Sequence, residues 1–202
     1  VPQPERDNAS GRPGGTADRS PSAAGGYGPV ARALHWLVAA LAVMVVAFGW
    51  AAEAAARNTP ARASLLLLHR SLGLTILALM LLRILWRLHH PAPPLPAALG
   101  RFDAALTRAT HLALYLVFIA MPLAGYVNAA AAGHKVSLFG AVSIPPLLPR
   151  DERLAQAAIA AHLVGQYLVY LLVGLHVAGA LFHRVVGREG ILERMLPRRP
   201  AP

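Results

Sequence analysis

The chain has 202 residues, 56% hydrophobic and 14% charged, with a formal net charge of +10 and no cysteine. Soluble domains carry about a quarter charged residues, so this balance points to a membrane and to one compact domain. The missing cysteine excludes disulfides, iron–sulfur clusters and any thiolate-held or thioether-linked cofactor.

Residues 1–26 are rich in Gly, Pro, Ala, Ser and Arg. They show no apolar periodicity, which predicts a disordered tail. The apolar core of a signal peptide is absent from them, and part of the stretch reads equally as translation from a misplaced start codon. Four apolar stretches follow, each near or above the roughly 20 residues that cross hydrocarbon. They are expected over Ala31–Ala52, Ser64–Leu88, His111–Ala130 and Ala157–Val186. Helix is the only geometry for such single spans, because lipid cannot satisfy exposed backbone groups. The fold class is therefore all-α membrane protein, a four-transmembrane-helix bundle over residues 27–190, with a C-terminal tail at 191–202.

The connections differ. Glu53–Ala63 is short, and His89–Thr110 is broken by Pro91, Pro93, Pro94 and Pro96. Residues 131–156 hold a further apolar piece, Val136–Pro149. Its Gly140, Pro145, Pro146 and Pro149 argue against a fifth span and for a surface flap over one end of the bundle. Thirteen Lys and Arg fall on the side of the two termini and the second connection, against six on the other. The bias places both termini in the cytoplasm. It also accounts for the positive charge without nucleic acid, since the basic residues flank apolar runs instead of clustering.

Four histidines lie inside the spans, where an ionisable ring is costly. With the termini inside, His35 and His176 share the inner depth, and His69 and His162 the outer. His162 and His176 are fourteen residues apart, which on a helix is about 40° in azimuth and about 21 Å in rise. Two ligands so separated cannot serve one metal ion. They can serve two flat cofactors stacked across a bilayer, so bis-histidine haem is expected at both depths. Two axial imidazoles leave iron no open position for oxygen, which suits electron transfer. Carboxylates are nearly absent from the spans; Glu53 alone approaches one, at its end. A di-iron bundle needs inward Glu on several helices, and that reading fails here, as does a carboxylate proton relay.

Other residues attach to these four. Gly73, Gly165 and Gly179 follow His69, His162 and His176 at helical spacing. They either let a macrocycle approach the backbone or serve ordinary small-residue packing in lipid. Arg83, fourteen after His69, shares its face at inner depth. It either pairs a haem propionate or snorkels to the interface. His183, at the inner rim, could bond a quinone or a propionate, and it rivals His176 as a ligand. His111 reads as an interfacial polar residue; His89, His90 and His134 read as loop residues.

At these residues the chain resembles the bacterial cytochrome b561 family, the four-span kind. The matching pieces are Arg32-Ala-Leu-His-Trp36, His69-Arg-Ser-Leu-Gly73 running to Leu82-Arg-Ile-Leu-Trp-Arg87, and His111-Leu-Ala-Leu-Tyr115 with Met121-Pro-Leu-Ala-Gly125. To these add Gly174-Leu-His176 and Arg194-Met-Leu-Pro197. The resemblance covers roughly residues 27–198. It implies two non-covalent b haems, held by the pairs His35/His176 and His69/His162, in a multi-pass protein of the bacterial inner membrane. The family includes a superoxide oxidase that reduces ubiquinone, so superoxide is the expected donor and a quinone the expected acceptor. The sequence departs from the family most at 131–156, where an outer substrate would enter. Two alternatives stay open: a haem-bearing membrane subunit serving a separate dehydrogenase or reductase, and, of another class, a haem or metal transporter.

Overall fold

The computed structural model describes residues 26–187 and 190–196. All but the last residue of the expected N-terminal tail, and residues 197–202 of the C-terminal one, lie outside this range. Among the described residues, four helices are long and apolar enough to cross a membrane: α1 Pro29–Ala54, α2 Pro60–His89, α3 Arg101–Ala131 and α4 Glu152–Phe182. Each start has a local cause. Pro29 and Pro60 open α1 and α2, where their fixed φ is helical and the missing N–H is no loss. Thr59 caps α2 by accepting from the Arg62 N–H, and Asp151 caps α4 by accepting from Arg153 and Leu154.

Two boundaries differ from the sequence expectation. Residues 101–110, expected as part of the second connection, form the first turns of α3. The breakers end at Gly100, and nothing after it opposes helix; Asp103 even suits the first turn. At the other end, α4 passes into a π-helical turn over His183–Gly187. Residues 131–151 add no span. They carry a hairpin of β1 Val136–Leu138 and β2 Val142–Ile144, paired antiparallel with Ser137 opposite Ser143.

The helices pack in sequence: α1 on α2, α2 on α3, α3 on α4. One small core joins Val38, Ile76 and Met80, and another joins Val117, Val169 and Leu172. Large apolar side chains such as Val43 and Leu171 are 72% and 66% exposed. They form the face that meets lipid. Among the described residues, no Cα of α1 or α2 comes within 8 Å of one in α4. The bundle is therefore two helix pairs with a gap between α4 and the α1–α2 pair.

We call the half holding the chain ends inner and the half holding the hairpin outer. The hairpin packs on α2 through Ser71, which is fully buried. Its hydroxyl donates to Leu67 O over 2.7 Å and accepts from the Phe139 N–H over 2.8 Å. At the inner end, residues 190–196 fold back as turns instead of trailing away. Tyr27 N–H reaches Arg194 O, Arg32 reaches Leu196 O and Arg194 reaches Pro94 O.

Candidate functional site

The histidines meet across the gap two by two. His35 of α1 and His176 of α4 have ring centres 6.1 Å apart, and His69 of α2 and His162 of α4 have theirs 5.9 Å apart. Metal–imidazole bonds of about 2 Å, with each ring centre roughly 1 Å behind its nitrogen, put two trans imidazole centres about 6 Å apart. Both pairs meet that spacing, and each joins helices whose backbones stay apart. The residues present are thus of a type and spacing that would suit a metal ion between two imidazoles at each depth.

The outer pair is prepared in more detail. His69 Nδ1 lies 2.8 Å from Val45 O, and His162 Nδ1 lies 2.9 Å from Met121 O. A carbonyl only accepts, so in each ring Nδ1 carries the proton and donates. The Nε2 lone pair is left for a ligand, and the carbonyl fixes the ring and raises its basicity. A cavity of about 400 Å³ opens beside this pair, lined among others by Gly49, Gly73, Gly125 and Tyr170. Arg62, Arg70 and Glu53 reach the same cavity.

Two of these glycines escaped the sequence reading. A Cβ on Gly49 would stand 3.0 Å from His69 Nδ1, and one on Gly125 would stand 3.5 Å from the His162 ring. The contact at Gly49 is tight enough that the ring would have to shift, while the one at Gly125 is ordinary. A signal for both existed. Gly49 is fourteen after His35, and Gly125 is fourteen after His111. The same step separates His69 from Arg83 and His162 from His176. Every helix carries one inner and one outer station, four turns apart on one face.

The inner cluster holds three imidazoles. His111 of α3 sits with its ring centre 5.2 Å from that of His176, closer than His35. Its Nδ1 donates to Thr107 O over 2.7 Å. It is not a detached interfacial residue but a member of the site. Arg83 stands where its depth predicts: its Nη1 lies 3.4 Å from His35 Nδ1, and its guanidinium lies 5.7 Å from the centre of the Tyr115 ring. Arg87 approaches the same ring at 5.9 Å. Trp36 meets His35 edge-on at 5.2 Å, and its indole N–H donates to Met195 O.

The remaining candidates are spread out. Gly73 faces Pro122, where a Cβ would make only ordinary contact, and a Cβ on Gly165 would collide with the Met121 sulfur, so Gly165 lets α4 lie close to α3. A Cβ on Gly179 would meet nothing within 4 Å. The ring of His183 packs edge-on against Phe182 in the π-helical turn.

Comparison with known proteins agrees over nearly the whole described chain. The family model described as Prokaryotic cytochrome b561 matches residues 26–198. A protein of Escherichia coli named cytochrome b561 homolog 2 is 32% identical, across 84% of this chain and 90% of its own length. A protein of Yersinia pestis named probable superoxide oxidase CybB is 30% identical, across 82% and 93%. Cytochrome b561 homolog 1 of Escherichia coli is 26% identical, across 82% and 94%.

Proposed function

The chain belongs to the prokaryotic cytochrome b561 family, and on that premise we propose that it carries electrons across the bacterial inner membrane between two bis-histidine b haems. Haem-mediated transmembrane electron transfer is what the family supplies. The further detail rests on one observation: two imidazole pairs near 6 Å, one in each half of the bundle. His35 and His176 hold the inner haem, and His69 and His162 the outer. Bound haem supplies a one-electron carrier in each half of the bilayer.

The chain's own residues bind, orient and seal. The carbonyls of Val45 and Met121 set the proton of each outer ring on Nδ1. Gly49 gives His69 its room. The Ser71-anchored hairpin lies on the outer end, and the C-terminal turns are fastened to the inner one.

The donor and acceptor we propose are superoxide and a membrane quinone. The name of the Yersinia pestis relative supports the donor. Arg62 and Arg70 at the outer cavity supply positive charge that favours an anion there. Lys135, Arg150 and Arg153 add exposed positive charge on the outer side, partly cancelled by Asp151 and Glu152. Each superoxide gives up one electron and leaves as dioxygen. A quinone takes two electrons and two protons, so two superoxides serve each quinol. His183, beside the last turn of α4, is the residue we place nearest the quinone. The test uses purified protein in vesicles loaded with ubiquinone and given a superoxide source. Quinol formation at a rate that falls with added salt supports the reading. Reduction of the chain only through an added soluble dehydrogenase supports the wire-subunit alternative.

A further inference from the structure

Resting on that reading of two haems, we propose that Arg83 makes the inner site the electron sink, so that electrons run from the outer half to the inner. One inner ligand, His35, is treated in the opposite way to both outer ones. Both outer rings have a carbonyl at Nδ1. A carbonyl draws on the Nδ1 proton, makes the ring a stronger electron donor and favours the ferric form, which carries one more positive charge than the ferrous. His35 at the inner site has a guanidinium at Nδ1 instead, 3.4 Å away. A guanidinium has no acceptor, so Arg83 cannot anchor a ring that binds iron through Nε2. What it contributes is a fixed positive charge beside the ligand, and that charge favours the ferrous form.

The surroundings deepen the contrast. Arg83 and Arg87 flank the Tyr115 ring, and no carboxylate of the described residues is paired with either. At the outer cavity Arg62 and Arg70 share the space with Glu53. Arg62 is further occupied by the carbonyls of Ala52 and Ala55 at the end of α1. Arg83 acts on both inner ligands, whereas of the outer pair only His69 has a cation, Arg70, beside it, so the inner site is the more positive of the two at its ligands. An electron entering outside therefore finds lower free energy inside.

The test is a spectroscopic redox titration of the full chain, with haem quantified in the same samples. The parent should hold two haems and give two reduction waves. Arg83→Gln should move the higher wave to lower potential and leave the lower wave in place. Arg83→Lys, which keeps the charge and loses the planar fork, should hold the higher wave near its parent position. Arg87→Gln should move the same wave in the same direction by less, which keeps the test decisive if Arg83→Gln sheds its inner haem. His69→Ala, which removes an outer ligand, should leave the higher wave. An Arg83→Gln titration in which the lower wave moves, neither wave moves, or the higher wave rises overturns the inference while leaving the two-haem reading intact. A parent with no haem overturns both.

Discussion

The indole N–H of Trp50 donates to the hydroxyl of Tyr170 over 2.8 Å, tying the end of α1 to the middle of α4. No Cα of one helix comes within 8 Å of the other in the described residues, so this tie and the His35–His176 contact join them through side chains. Interhelical hydrogen bonds in lipid average roughly 0.6 kcal/mol. Trp50→Phe and Tyr170→Phe should each lower the thermal midpoint by a small amount, the second also losing the Tyr170 bond to Gln166. The double variant should cost less than the sum of the two. A double-mutant cycle in detergent measures this; fully additive losses would show that the bond carries nothing.

Gly49→Ala should cost the outer haem. The new methyl would stand 3.0 Å from His69 Nδ1, so the ring must shift by a few tenths of an ångström against its bond to Val45 O. Gly125→Ala, whose Cβ would lie 3.5 Å from the His162 ring, meets ordinary contact and should keep it. Haem-to-protein ratios for the two variants check the contrast. Equal ratios would mean that the glycine beside His69 is not a spatial requirement.

Ser71→Ala should loosen the hairpin without touching the inner half. The serine is fully buried and holds the N–H of the half-exposed Phe139; losing that bond costs about 0.5–1.5 kcal/mol. Limited proteolysis should cut within residues 131–151 several-fold faster, with the inner haem retained. Unchanged cleavage would mean that the hairpin is held elsewhere.

Trp36→Phe removes one bond that fastens residues 190–196 to the bundle, and Arg32→Gln another. Amide exchange of 190–196 should quicken in both, and most in the pair. Phe at 36 keeps an aromatic ring beside His35, so the haem content of that variant should not fall.

Much of this was legible because lipid makes polar side chains expensive. The four spans stood out as apolar runs, and histidines inside them had to have a reason. Antiparallel spans with a charge bias were enough to sort the rings by depth, and the structure brings His35 to His176 and His69 to His162. Other parts gave no such signal. The start of α3 mixes Arg101, Asp103 and Arg108 with apolar residues, so it falls below any hydropathy cut although nothing in it breaks a helix. The hairpin strands are three residues each, too short for alternation to declare them. Their turn also hides, because Phe139 takes a φ of 50°, a conformation that a phenylalanine does not announce. His111 looked interfacial because its place depends on how α3 packs against α4. The carbonyls at His69 and His162 are backbone groups of α1 and α3, invisible until the helices are docked.

The central claim is that facing imidazoles hold one haem in each half of the bundle. Haem quantification on the parent and on His35→Ala, His176→Ala, His69→Ala and His162→Ala tests it most directly, with His111→Ala beside them. Two b haems in the parent and in His111→Ala are predicted. His35→Ala and His176→Ala should lack the same haem, told by its potential, and the other two should lack the other. A colourless parent, or variants whose losses do not sort into these two pairs, would contradict it.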